Sequence, residues 1–146
     1  MANKKYDYLF TPEPLLKSGY PPFKDMLLFI LEKGVNFQIR FTHISVPFDG
    51  SEPPHKHDFD EVFFFVPCSD DLRAYDAETE LYLEGEKYII NKTSAVHIPA
   101  GLLHCPIKHK RVGMPFFFVN CPLTHDFSLL VEGKKIVPGP PSQMKP

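Results

Sequence analysis

His55-Lys56-His57-Asp58-Phe59-Asp60-Glu61 runs directly into Val62-Phe63-Phe64-Phe65-Val66. Side chains of an extended strand alternate between its faces, so His55, His57 and Glu61 share one face. Beyond Glu61 both faces are apolar, the pattern of a strand buried on two sides. A carboxylate at the head of such a strand loses much of its hydration, and an unpaired buried charge is costly. It needs a cation. A divalent metal held by two imidazoles and a carboxylate supplies one, and that donor set is a known transition-metal constellation. The competing reading leaves His55 and His57 in a polar loop after Pro53-Pro54, with Glu61 in water at the strand mouth.

The rest of the 146-residue chain fits a single domain large enough for a real core. Phe occurs 14 times and Pro 16 times, and Trp is absent. Phe-rich runs broken by Pro and Gly argue for strands joined by turns. The formal net charge is -2 and the pI about 6.4, so no basic field favours nucleic acid, and no nucleic-acid partner is expected. Cys68, Cys105 and Cys121 form no paired spacing and read as buried, reduced thiols of a cytoplasmic protein. No apolar run approaches the ~20 residues of a membrane span, and no signal-like core follows Met1 to Lys5. A soluble, cytoplasmic chain with no membrane partner is the expectation.

Residues 1-25 read as an irregular N-terminal arm. It carries Tyr6, Tyr8, Leu9 and Phe10, with one helical turn expected near Pro14-Leu15-Leu16. Residues 26-137 read as the barrel, and 138-146, with Pro138-Gly139-Pro140-Pro141, as an extended tail. Phe23 to Leu31 reads as a strand and Glu32-Lys33-Gly34 as a turn. Val35 to Val46 alternates, with Val35, Phe37, Ile39 and Phe41 on one face and Asn36, Gln38, Arg40 and Thr42 on the other. Solvent is the usual place for such a polar face. The alternative is that it lines a polar cavity, with Arg40 placed for a substrate carboxylate.

Pro47 to Pro54 reads as a loop turning at Asp49-Gly50, and Cys68 to Asp76 as another. Strands come next at Glu78 to Leu83, from Tyr88, and at Ser94 to Ile98, separated by turns at Glu84-Gly85-Glu86-Lys87 and Asn91-Lys92-Thr93. Pro115 to Asn120 is an apolar strand, and a short strand or turn is expected near Phe127 to Val131. A second informative stretch is His97-Ile98-Pro99-Ala100-Gly101-Leu102-Leu103-His104. Pro99 and Gly101 make a tight bend that fixes where His104 points. His97 reads as a hydrogen-bonded core residue, and Lys108-His109-Lys110-Arg111 as a solvated basic turn.

With both stretches quoted, the sequence resembles the cupin superfamily over residues 35 to 121. Gly50, His55, His57 and Glu61 match its first motif, with the Gly one residue closer than usual and Cys68 where the closing Gly is expected. Pro99, Gly101 and His104 match the second, with Thr93 and Lys108 in place of its Gly and Asn. The resemblance implies an all-β fold, a cupin-type double-stranded β-helix or jelly-roll barrel, here with an irregular N-terminal arm. It also implies a metal inside, held by His55, His57, Glu61 and His104, and a homodimer.

The metal would be one divalent transition ion, with iron, manganese, nickel and zinc unranked. Cupins that keep this ligand set include dioxygenases, oxidases, decarboxylases and isomerases, and others only bind small molecules; fold alone does not choose among them. Phe59, Phe63 and Phe65 share the parity of Glu61 and are candidates for the apolar wall of a small-molecule site, with Arg40 for an anionic group. They serve equally as barrel filling. The leading expectation is a dioxygenase-like oxidoreductase acting on a small aromatic or enolisable substrate. A metal-dependent isomerase or lyase, and a non-catalytic binder, are the alternatives.

Overall fold

The computed structural model describes residues 4–10, 12 and 36–124, together with the backbone of 15–17, 25–30, 129–131 and 134–136. Among the described residues a 3₁₀ turn at Asp7–Leu9 precedes twelve strands. These are β1 (Leu15–Lys17), β2 (Asp25–Ile30), β3 (Gln38–Ile44), β4 (Phe48–Asp49), β5 (Glu61–Pro67), β6 (Ala77–Leu83), β7 (Glu86–Ile90), β8 (Ser94–Ile98), β9 (His104–Val112), β10 (Phe116–Pro122), β11 (Leu129–Val131) and β12 (Lys134–Ile136). Every pairing is antiparallel. One sheet runs β1-β2-β3-β10-β5-β8, a second runs β4-β9-β6-β7, and β11 pairs with β12.

The two large sheets share a core. Ile44, Phe63, Phe65, Ile98 and Phe116 come from the first, and Ala77, Leu81 and Ile90 from the second. Phe63, Phe65 and Phe116 are fully buried, and each contributes about 2–3 kcal/mol by leaving water. Phe118 ties them together, its ring 5.2 Å from both Phe63 and Phe65. The architecture is a jelly-roll barrel, as the sequence implies.

Several local expectations are corrected. Leu15–Lys17 is strand β1, paired with β2, and not a helical turn. Tyr6, Tyr8, Leu9 and Phe10 are all exposed. Only the inner face of β5 is fully buried, since Phe64 is 37% exposed and Val62 and Val66 are half-buried. The Phe run reports high β-propensity on both faces, not two-sided burial. Phe48–Asp49 pairs with His109 and Lys108 as strand β4, where a simple turn was expected. The turn at Glu84-Gly85 is as read, with both residues at positive φ. The turn expected at 32–34 and the tail 138–146 lie outside the described residues.

Two corrections shape the interior. The polar face of β3 points into the barrel, so that Gln38 is buried and Arg40 and Thr42 line a cavity. Its apolar face lies outside, where Phe41 packs edge-on against Phe117 of β10. Alternation records two different environments, and here the polar one is a cavity. The run Lys108 to Arg111 is mid-strand, not a solvated turn.

Candidate metal centre

The barrel register brings the ligand atoms of His57, Glu61 and His104 together and sets His55 beside His104. His55 and His104 exchange backbone hydrogen bonds, His55 N–H to the His104 carbonyl at 3.0 Å and the reverse at 2.8 Å. Their rings stand 4.5 Å apart, and each is 5.0 Å from the His57 ring. Gly101 donates its N–H to the His57 carbonyl at 2.8 Å, so the bend before His104 is tied to the segment carrying His57. That bend requires φ of +85° at Gly101, a conformation other residues adopt at a cost. Glu61 opens β5, and its Oε1 lies 3.5 Å from His57 Nε2 and 3.4 Å from His104 Nε2.

Backbone carbonyls orient two of the imidazoles. His55 Nδ1 is 2.7 Å from the Pro53 carbonyl, and His104 Nδ1 is 2.9 Å from that of Leu102. Each Nδ1 therefore carries the proton and donates, which leaves Nε2 with a lone pair. Burial pushes the His55 pKa down to about 4; the Pro53 carbonyl opposes this, and His104 and His57 add to it. His55 is thus a neutral donor near pH 7. Desolvation alone would raise the Glu61 carboxyl; in the metal-free protein, hydrogen bonds from the His104 and His57 rings, where these carry the proton on the facing nitrogen, outweigh it and lower the pKa to about 2, a role that a cation takes over when bound. His55, His57, Glu61 and His104 are all buried.

This donor set fits a metal ion. Ligand atoms of His57, Glu61 and His104 lie within 4.8 Å of one another. Glu61 Oε2 and His104 Nε2 are buried with no hydrogen-bond partner among the described residues, a costly state that a shared cation relieves. His, His, Glu and His suit a first-row divalent ion.

The centre forms one wall of a cavity of about 150 Å³, room for one small ring or short chain. Of the aromatic candidates, Phe63 lines it. Phe65 lies beneath, in the core, and Phe59 stacks on His57 with centroids 4.5 Å apart. Phe48 and Phe118 supply the rest of the aromatic wall. Arg40 and Thr42 line the cavity, the alternative that the sequence left open for their face, joined by Asn120, Glu52 and His109, which sequence reading missed. Asn120 carried a signal, being the lone polar residue in an apolar strand.

Glu52 is exposed as a residue, yet its carboxyl end turns inward, with Oε2 3.9 Å from the Cys105 Sγ. Its carboxyl is held above the ordinary range, first by desolvation and then by the Glu61 charge, with Arg40 opposing. Cys105 is buried, and its donor atom lies within 4.8 Å of those of His55 and His104. Burial, with the nearby carboxylates, pushes its thiol far above the ordinary value.

His109 reaches the cavity through two bulges in β9. Between Leu81 and Leu83 of β6, β9 advances from Ile107 to His104, one residue more than its partner. Between Glu78 and Thr79 it again spends one extra residue, from Arg111 to His109. Each bulge flips the parity of the residues beyond it. His104, Ile107 and His109 therefore all face inward. His109 Nδ1 is 2.9 Å from Thr79 Oγ1, and its ring lies 5.4 Å from that of Phe116 and 5.9 Å from that of Phe118. Desolvation pushes its pKa down to about 4, against the pull of Asp49.

Three other polar residues stand outside the centre. His97 is hydrogen-bonded but exposed, not in the core, because its position on β8 faces outward; its Nε2 is 2.8 Å from Asp60 Oδ2. Asp60 also accepts from the Ala100 N–H at 3.0 Å and so braces the bend. Asp58 is exposed.

The chain has the fold of the cupin superfamily. It is similar to an RmlC-like cupin from Shewanella frigidimarina at 10% identity, over 77% of this chain and 86% of that one, with a TM-score of 0.51. A Cupin 2 conserved barrel domain protein from Salinispora arenicola matches at 14% identity, 84% and 87% coverage and a TM-score of 0.48. A cupin superfamily protein from Desulfitobacterium hafniense matches at 14% identity, 80% and 95% coverage and a TM-score of 0.48. No family model and no curated protein matches the sequence. Among the described residues, no helix is long and apolar enough to cross a membrane.

Proposed function

We propose that this protein is a metal-dependent cupin enzyme, and that its reaction is a dioxygenase-like oxidation of a small organic molecule that binds through oxygen. The observation that carries the reading is the buried Glu61 carboxylate, set among His55, His57 and His104 on the wall of a small cavity. In this reading those four side chains hold one divalent transition metal. When bound, a redox-active ion such as iron supplies oxygen activation and a Lewis-acidic seat for the substrate. The chain's own residues do the rest. The Pro53 and Leu102 carbonyls keep the His55 and His104 lone pairs aimed inward. Phe63 and Phe118 exclude water and pack the substrate's apolar part.

A metal-dependent isomerase or lyase is the second reading. Glu52 favours it, as a carboxyl group that enters the cavity outside the ligand set and can carry a proton to or from a substrate. Oxygen uptake separates the two. Metal-free protein is reloaded with ferrous iron and given small phenolic substrates. Substrate-dependent oxygen consumption supports the oxidative reading, turnover without oxygen replaces it with the second, and tight binding without turnover replaces both with a binding module.

For assembly, the reading is a homodimer, supported by the exposed Tyr6, Tyr8, Leu9 and Phe10 of the arm. Apolar side chains so placed gain by burial against a second copy.

A further inference from the structure

His109 is a buried polar residue of the cavity for which the metal reading has no use. Its ring is set against Phe116 and Phe118, with centroids 5.4 and 5.9 Å away. A polar group in apolar surroundings is costly unless it is hydrogen-bonded. Thr79, itself fully buried, bonds its Nδ1 at 2.9 Å. Nε2 is the nitrogen left for the cavity. Resting on the metal reading above, we infer that the ligand binds the metal through one end and carries an uncharged polar oxygen at the other, and that His109 receives that oxygen.

Two independent registers set the distance between these ends. On the second sheet, His104 pairs with Leu83 and His109 with Thr79, four residues apart on β6. On the first, Phe118, beside the His109 ring, pairs with Phe65, four residues beyond Glu61 on β5. Either count gives about 13 Å at the backbone. Phe63 and Ile107, midway on their sheets, line the cavity between. A single ring substituted at opposite ends bridges such a gap between side chains that reach inward, and a cavity of about 150 Å³ holds one. The Thr79 hydroxyl can donate to Nδ1 or accept from it, so Nε2 can accept from a ligand hydroxyl or donate to a carbonyl. Burial keeps the imidazole neutral near pH 7, against the pull of Asp49. This end of the cavity therefore selects by hydrogen bonding and not by charge.

The test is calorimetric titration of zinc-loaded protein with benzohydroxamate and 4-hydroxybenzohydroxamate. The two chelate through the same group and differ only in a hydroxyl at the far end of the ring. Zinc is redox-inactive, so binding is read without turnover. The 4-hydroxy compound binds about fivefold more tightly or better. His109→Leu removes that preference while zinc content stays at one per chain, and His109→Gln keeps part of it. Equal affinities in the wild type, binding of neither compound to zinc-loaded protein, or an undiminished preference in His109→Leu would overturn the inference. If His109→Leu does not fold, the wild type decides by long-range proton–nitrogen spectra. The His109 Nε2 resonance moves when 4-hydroxybenzohydroxamate binds and moves far less with benzohydroxamate; equal shifts overturn the inference. Failure of the wild type to take up zinc overturns the metal reading separately. Phenol titrated into the metal-free protein then decides the His109 end, upheld by a shift of the Nε2 resonance and overturned by its absence.

Discussion

Replacing His109 with Gln should remove one source of acid sensitivity from the fold. His109 is 5% exposed, so solvent screening is slight. Its folded pKa is about 4, against an ordinary value of 6.5, because burial disfavours the imidazolium. The folded state therefore binds fewer protons than the unfolded chain between these values. The stabilising effect of keeping His109 neutral is complete above pH 6.5 and is lost as pH falls from 6.5 towards 4. At about 1.36 kcal/mol per pH unit, the full loss is about 3 kcal/mol, of which about 2 kcal/mol is gone by pH 5. His55 titrates over the same interval in metal-free protein, so the difference between wild type and variant isolates His109. Urea unfolding of chelator-treated protein from pH 8 to pH 4.5 measures it. The wild type should lose about 2 kcal/mol more than His109→Gln between pH 8 and pH 5. Parallel curves would refute the placement of His109 as a buried, neutral side chain.

Gly50→Ala should destabilise the fold by about 1–3 kcal/mol in the same unfolding assay, because a Cβ there would sit 2.6 Å from the Ile107 carbonyl oxygen. Iodoacetamide at pH 8 should label Cys68, which is exposed, and leave Cys105 unlabelled until the protein is unfolded, as mass spectrometry of the peptides would reveal. Light scattering at micromolar concentration should give twice the 16.8 kDa chain mass, and substitution of Tyr8 and Phe10 by Ser should shift it toward the monomer.

The ligand set was legible because it rests on short-range geometry. His55, His57 and Glu61 stand close in sequence, although only Glu61 lies in β5 and bends at Asp58 and Phe59 separate it from the histidines, and Pro99 and Gly101 mark a bend whatever else surrounds them. The all-β class emerged from the Phe runs and their punctuation in the same way. The features that stayed illegible depend on pairings between distant segments. The two bulges of β9 exist only relative to β6, and without them His109 would face outward, as its basic neighbours suggested. The polar face of β3 became a cavity wall only because the second sheet closes over it. His97 has the apolar neighbours of a core residue, yet the register of β8 against β5 pairs it with Val62 on the outward side. The same limit applies to Phe65, whose parity with Glu61 was right but whose depth in the barrel places it below the cavity.

The proposed chemistry requires that the four buried side chains hold an ion. Elemental analysis of protein purified without added metal tests this most directly, run beside Glu61→Ala, His104→Ala and the outward-facing control His97→Ala. The expected result is close to one divalent transition metal per chain in the wild type and in His97→Ala, and near zero in Glu61→Ala and His104→Ala. A wild type that holds no metal even after incubation with iron, manganese, nickel or zinc, or a Glu61→Ala variant that keeps a full equivalent, would contradict it.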